Sequence, residues 1–274
     1  MNYFSLTTTT PDVLNKIAEA EKAGNFNEHL DPIDYNNCYP VDEQFPYVPH
    51  GLVKLRYGVL NFFIVRPFKF IVNHHILKTR VYGRNHLGNI KNAVVTCNHV
   101  NKLDAVAAEY AVRNHHAFKT MVGDFNNQKG KLGDYMRAFG VLPFSPKPGA
   151  LRAFNRAVEY YLRHKTYILF FPERAEWWCY EKPRPIMDGA YHYAVKNKVP
   201  VIPLFITFTM LGKKDINGIE QRRFHVHILE PIYADPSLSN AENVKMMKEK
   251  NMQLWIQKYE EFYKKKYELL KAIL

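Results

Sequence analysis

The chain has little material for a disulfide framework. Its 274 residues include three cysteines, Cys38, Cys97 and Cys179, too scattered to staple a fold. A reducing cytoplasm is the simpler setting. Long hydrophobic runs are also missing. The longest uncharged run in the most apolar part of the chain, residues 57–65, falls far short of the ~20 residues that cross a bilayer as a helix. Residues 1–10 lack a basic n-region and an apolar h-region, so no secretory signal is expected there. Acidic residues are in deficit, 26 against 38 Lys and Arg, for a formal net charge of +12. That excess suits an anionic partner. Nucleic acid finds no support in a recognition motif, a zinc spacing or a concentrated basic stripe, which favours a membrane surface or phosphate-bearing carriers. There is no internal repeat and no metal-ligand spacing.

What is present begins at residues 93–104, AVVTCNHVNKLD. The β-branched run at 93–97 predicts a buried strand ending in Asn98-His99. Asp104 precedes AVAAEYAV and stands at a helix entrance. A strand end and a helix start bring His99 and Asp104 within reach. The carboxylate can then fix the tautomer of the imidazole and leave its other nitrogen free as a base. The same residues also read as a helix-capping aspartate beside an unrelated histidine. Cys97 reads either as a nucleophile beside His99 or as a small buried apolar residue. Further strands are predicted at 79–82, 117–122, 167–171, 199–208 and 224–229. Helices are predicted at 130–139, stopped by Gly140, at 150–163 and at 189–196, with a Pro-rich turn at 142–148. This alternation predicts an α/β domain with a mainly parallel sheet flanked by helices.

With these pieces in order the chain resembles the glycerolipid acyltransferase family, whose best-known members acylate lysophosphatidic acid. The first family block, Asn-His-x4-Asp, is Asn98, His99 and Asp104. The third, Phe-Pro-Glu-Gly-Thr-Arg, is half present as Phe171, Pro172 and Glu173, and Val-Pro-Val-Ile-Pro occupies 199–203. The resemblance implies a base, His99, oriented by Asp104, and a glutamate, Glu173, that helps place the acceptor. It implies a donor thioester on CoA or acyl carrier protein, a lysophospholipid-like acceptor and no cofactor. The chain departs from the pattern after Glu173, where Arg174, Ala175 and Glu176 replace Gly-Thr-Arg. The arginine that would meet an acceptor phosphate is thus an acid here. Asn98, Lys147 (near the position of the second-block arginine), Arg174 and Arg184 are the candidate substrate contacts. Glu173 also reads as a turn carboxylate paired with Arg174 or Arg184. Trp177 and Trp178 either line a pocket or anchor at a membrane. Two alternatives stay open: the same fold acting on a non-phosphate acceptor such as a glycolipid or lipoamino acid, and a lipid-binding relative without turnover.

Residues 1–50 read as an N-terminal arm with a short helix capped by Thr10-Pro11 and closed by Gly24. Residues 51–78 read as an amphipathic membrane-interface segment, 79–240 as the acyltransferase domain and 241–274 as a C-terminal helix. In 51–78, Pro67 is expected to separate two pieces. Phe62, Phe63, Phe68 and Phe70 lie among Lys54, Arg56, Arg66, Lys69 and Lys78. Such a mixture fits peripheral or monotopic binding to the cytoplasmic face of an anionic membrane; the alternative is a helix pair packed on the core with snorkelling lysines. Val244, Trp255, Tyr259, Phe262 and Leu270 mark one face of the C-terminal helix, and residues 264–266 read as a solvated face.

Overall fold

The runs Ala93–Cys97 and Thr166–Phe170 are buried at every position. Strands with no polar face need helices on both sides, and that places them at the centre of a covered sheet. The computed structural model describes residues 8–30, 37–112 and 117–268. Its elements run α1 (Pro11–Ala23), α2 (Gly51–Leu60), α3 (Arg66–Ile71), β1 (Arg80–Tyr82), β2 (Ala93–Cys97), α4 (Asp104–Ala111), β3 (Ala117–Gly123), α5 (Gly130–Phe139), β4 (Val141–Phe144), α6 (Pro148–Arg163), β5 (Thr166–Phe170), α7 (Gly189–Asn197), β6 (Val201–Lys214), β7 (Glu220–Ile228) and α8 (Asn240–Tyr263).

The seven strands form one sheet in the order β1-β7-β6-β2-β5-β3-β4. All neighbours are parallel except β6 and β7. Those two form a long hairpin whose turn is closed by Asp215 N–H donating to the Ile219 carbonyl at 2.8 Å. Side chains alternate along each strand and so divide the core in two. Val95, Cys97 and Leu169 pack with α4 and Trp177 on one face. Val94, Ile168 and Phe170 pack with Phe154 of α6, Tyr191 of α7 and Trp255 of α8 on the other.

The predicted Pro-rich turn at 142–148 is corrected: its first part is β4, paired with β3 at Val122↔Pro143. Pro143 is tolerated because β4 is an edge strand and one of its sides needs no N–H donor. Gly140 stops α5 as expected, at φ 106, where a Cβ would lie 2.9 Å from the Phe118 carbonyl. The C-terminal helix is shorter than predicted. It starts with a capping box of Ser239 and Glu242 and ends before Lys264, which is left-handed at φ 56. Leu270 lies outside the described residues.

Pro67 does not separate two pieces. From Gly51 to Ile76 the chain stays helical, with π-helical turns at Asn61–Val65 and Val72–Ile76. The first wide turn immediately precedes Pro67, where the ladder must absorb a missing N–H donor. One side of this rod is anchored: Val65 and Val72 are buried, Asn61 Nδ2 donates to the Ala138 carbonyl at 2.9 Å, and Lys69 pairs with Glu109 at 2.6 Å. The other side is bare. Leu52 is 83% exposed, Leu55 64% and Phe63 69%. Among the described residues no helix is long and apolar enough to cross a membrane.

Candidate active site

β2 ends at the crevice above the carboxyl ends of the parallel strands, where open α/β sheets bind ligands. His99 lies at that end of the sheet, two residues past the strand. Its Nδ1 is 2.8 Å from Asp104 Oδ2, and the same oxygen accepts the main-chain N–H groups of Val100 (3.0 Å) and Asn101 (3.3 Å). Asp104 is the first residue of α4, with Leu103 at the N-cap position. Its carboxylate therefore ties the connecting loop to the imidazole. Burial favours the neutral form of His99, but the charge and hydrogen bond of Asp104, helped by Glu176, outweigh it, and the pKa lies above the ordinary value. With Nδ1–H donating to Asp104, Nε2 is left as a proton acceptor. Phe171 stacks on the imidazole, ring centroids 4.0 Å apart and 16° from coplanar.

Glu173 reaches His99 through the main chain. Its Oε2 accepts His99 N–H at 2.9 Å, and Oε1 accepts Arg184 N–H at 2.8 Å. Arg184 Nη2 pairs with Oε2 at 2.9 Å and also donates to the His99 and Ala175 carbonyls, while Nη1 donates to the Phe26 carbonyl at 3.1 Å. Both side chains are essentially sealed from solvent. The guanidinium lies 4.7 Å over the Trp177 ring. The pairing of Glu173 with Arg184, one of the two readings of this glutamate, is present. Asn98 is likewise internal: Nδ2 donates to the Ile206 carbonyl at 3.0 Å, and Oδ1 accepts Ile206 N–H at 2.8 Å. It prolongs the β2–β6 pairing by one residue. In this geometry Asn98, Glu173 and Arg184 hold the loop that carries His99.

Arg174 and Lys147 are exposed. Arg174 has φ 68, in the left-handed region where the family block has glycine, and a side chain there costs about 1–2 kcal/mol. Lys147 stands at the start of α6. Trp177 and Trp178 are core residues, so both the pocket-lining and the membrane-anchor expectations are corrected. Trp177 N–H donates to the His99 carbonyl at 3.0 Å, and its indole to the Glu28 carbonyl at 3.1 Å. Cys97 is fully buried, and burial pushes its thiol well above the ordinary range, which argues against a nucleophile. Among the described residues no group of three or more His, Cys, Asp or Glu could hold a metal.

Beside Phe171 a cleft of about 420 Å³ is lined by residues of β3, β4 and β5, of the first part of α6 and of one face of α7. Phe171 lines it, so one aromatic residue separates it from His99. Sequence reasoning did not find its α7 wall. The available signal was the spacing of Gly189, His192, Tyr193 and Lys196, which puts all four on one side of a helix.

A mostly parallel sheet thus presents a His–Asp pair at the end of a central strand, and comparison with known proteins points the same way. Residues 78–207 match the profile of the Acyltransferase family, which bears out the resemblance to glycerolipid acyltransferases that the sequence blocks carry. Among solved structures it is similar to PlsC, the 1-acyl-sn-glycerophosphate (LPA) acyltransferase of Thermotoga maritima. The TM-score is 0.52 at 17% identity, covering 78% of this chain and 97% of that one. At that identity the likeness concerns the fold. No curated protein matches the chain in sequence.

Proposed function

We propose that the protein transfers a fatty acyl group from an acyl-CoA or acyl-carrier-protein thioester to a hydroxyl of a lysophosphatidate-like acceptor. The observation that carries the reading is the 2.8 Å contact between His99 Nδ1 and Asp104 Oδ2 at the head of the sheet. His99 Nε2 accepts the proton of the acceptor hydroxyl as its oxygen attacks the thioester carbonyl. The C–O bond forms, the C–S bond breaks, and the imidazolium returns the proton to the leaving thiolate. The thioester is already activated, so no covalent enzyme intermediate is needed, and holding the two substrates together supplies much of the rate.

The bare side of the Gly51–Ile76 rod supports peripheral or monotopic attachment to the cytoplasmic face of an anionic membrane, where amphiphilic acceptors reside. Leu55, Phe62 and Phe63 would enter the acyl boundary, and Lys54 and Arg66, both exposed, would meet the headgroups. Lys69 is not part of this set because it is paired with Glu109.

The test is an acceptor panel with purified protein and labelled acyl-CoA or acyl carrier protein, read by lipid mass spectrometry. Acylated lysophosphatidate formed by the wild type and absent with His99→Ala is the expected result. Preference for an uncharged glycolipid or a lipoamino acid would replace the phosphate acceptor, and no transfer to any acceptor would leave a lipid-binding protein.

A further inference from the structure

The cleft beside Phe171 takes no part in the proton transfer, yet its composition is selective. Met121, Phe144 and Phe170 of three neighbouring strands give it an apolar side. Its other wall is the α7 face of Gly189, His192, Tyr193 and Lys196. Arg174, next to Glu173 in the chain, also lines it. Among the described residues no acidic side chain lines the cleft. Among the described residues, none of the ion pairs involves Arg174, His192 or Lys196. The volume, about 420 Å³, lies in the range of small-molecule sites. Arg174 occupies a left-handed position that glycine would adopt without strain, and the side chain retained there is one that lines the cleft.

Unpaired cations at the mouth of an apolar cavity complement an alkyl chain that ends in an anion. We propose that this cleft binds the phosphate-bearing, single-chain part of a substrate, with the chain against Met121, Phe144 and Phe170 and the phosphate among Arg174, His192 and Lys196. The proposal rests on the acyl-transfer reading only for the identity of the substrate placed there. A lysophosphatidate acceptor and an acyl-CoA donor both carry this chemistry.

The experiment is calorimetric titration of the His99→Ala protein, which removes the base and keeps the cleft, with n-alkyl phosphates and uncharged n-dodecylglycerol below their aggregation concentrations. Dodecyl phosphate is expected to bind at least tenfold tighter than dodecylglycerol. Affinity should rise with chain length from the hexyl compound, by up to roughly fourfold per buried methylene. Adding Arg174→Ala with Lys196→Ala, both exposed positions, should erase the tenfold advantage and leave dodecylglycerol binding unchanged. Lys213→Ala with Lys214→Ala, exposed cations at the end of β6, should change neither. Dodecyl phosphate binding that is absent, or that survives Arg174→Ala with Lys196→Ala, overturns the proposal.

In the enzyme that retains His99, the same pair of changes should raise the KM of lysophosphatidate if the cleft holds the acceptor, or of acyl-CoA if it holds the donor. Transfer with both KM values unmoved would overturn the assignment to a substrate. Phosphate-selective binding in a protein that transfers no acyl group would sink the acyl-transfer reading and leave the cleft assignment standing.

Discussion

Glu173 grips His99 by the main chain and not by the imidazole. Its Oε2 accepts His99 N–H at 2.9 Å, and Arg184, paired with that oxygen, donates to the His99 carbonyl at 3.1 Å. The peptide groups on both sides of the proposed base are thus held by one sealed ion pair. Breaking a buried pair from one side costs about 3–5 kcal/mol because the other charge is left uncompensated. Glu173→Ala should lower Tm by roughly 10 °C. Glu173→Leu with Arg184→Met should recover much of that loss while leaving turnover low, since neither side chain can hold the His99 peptide. Thermal melts and turnover on the three proteins separate the two effects.

The His99–Asp104 pair fixes the sign of a pH effect. Burial lowers the His99 pKa, Asp104 raises it, and the net is upward. A base that must be neutral loses activity as pH falls through that raised value. Asp104→Asn removes the raising partner, so the acid limb of the kcat/KM profile should move to lower pH. The plateau should drop by roughly two orders of magnitude or more, because the useful tautomer is no longer held. An acid limb that stays in place would show that Asp104 does not act on the base.

Glu176 also raises the His99 pKa, after Asp104 in rank. Glu176→Gln should therefore shift the acid limb in the same direction as Asp104→Asn, by less, and with a much smaller loss of plateau activity. The pH–rate profile with a saturating donor reads this directly.

Membrane attachment rests on the bare side of the Gly51–Ile76 rod. Changing Phe62 and Phe63 to Ser and Lys54 and Arg66 to Gln should strongly reduce flotation with anionic vesicles and leave Tm within a few degrees, since all four side chains are exposed. Wild-type binding should weaken as salt rises through the electrostatic part. Flotation indifferent to all four changes would remove this surface from membrane contact.

His227 supplies a stability prediction away from the site. Burial, with Lys258 and His225 nearby, pushes its pKa down to about 3. Its ring is 2.9 Å from the Thr207 hydroxyl. A folded-state pKa below the unfolded one means that the stabilising contribution is complete above the unfolded value, near 6.5, and is lost as pH falls toward 3. Wild-type Tm should therefore drop across that window. His227→Gln should flatten part of the slope, in melts taken from pH 7 to 4.

The sequence by itself determined the elements that are locally encoded. The apolar runs at 93–97 and 167–171 read as buried strands from their β-branched and aromatic residues and the breaks that end them. Thr10-Pro11 and Gly24 bound α1 because cap chemistry is local, and the Asn98-His99-x4-Asp104 spacing places a carboxylate one loop away from an imidazole. Pro67 and Pro143 misled for one reason: a proline's effect depends on whether its missing N–H was needed, and only the neighbouring turn or strand decides that. Tertiary structure alone decided what the polar residues do. In one dimension Asn98, Glu173 and Arg184 are candidate substrate contacts, with a Glu173–Arg184 pair the other reading. They are internal because Ile206, Phe26 and the His99 peptide arrive from distant segments to take their hydrogen bonds. Arg174 and the α7 face meet at one cleft because β5 and α7 converge on the same end of the sheet, a proximity that no spacing along the chain encodes.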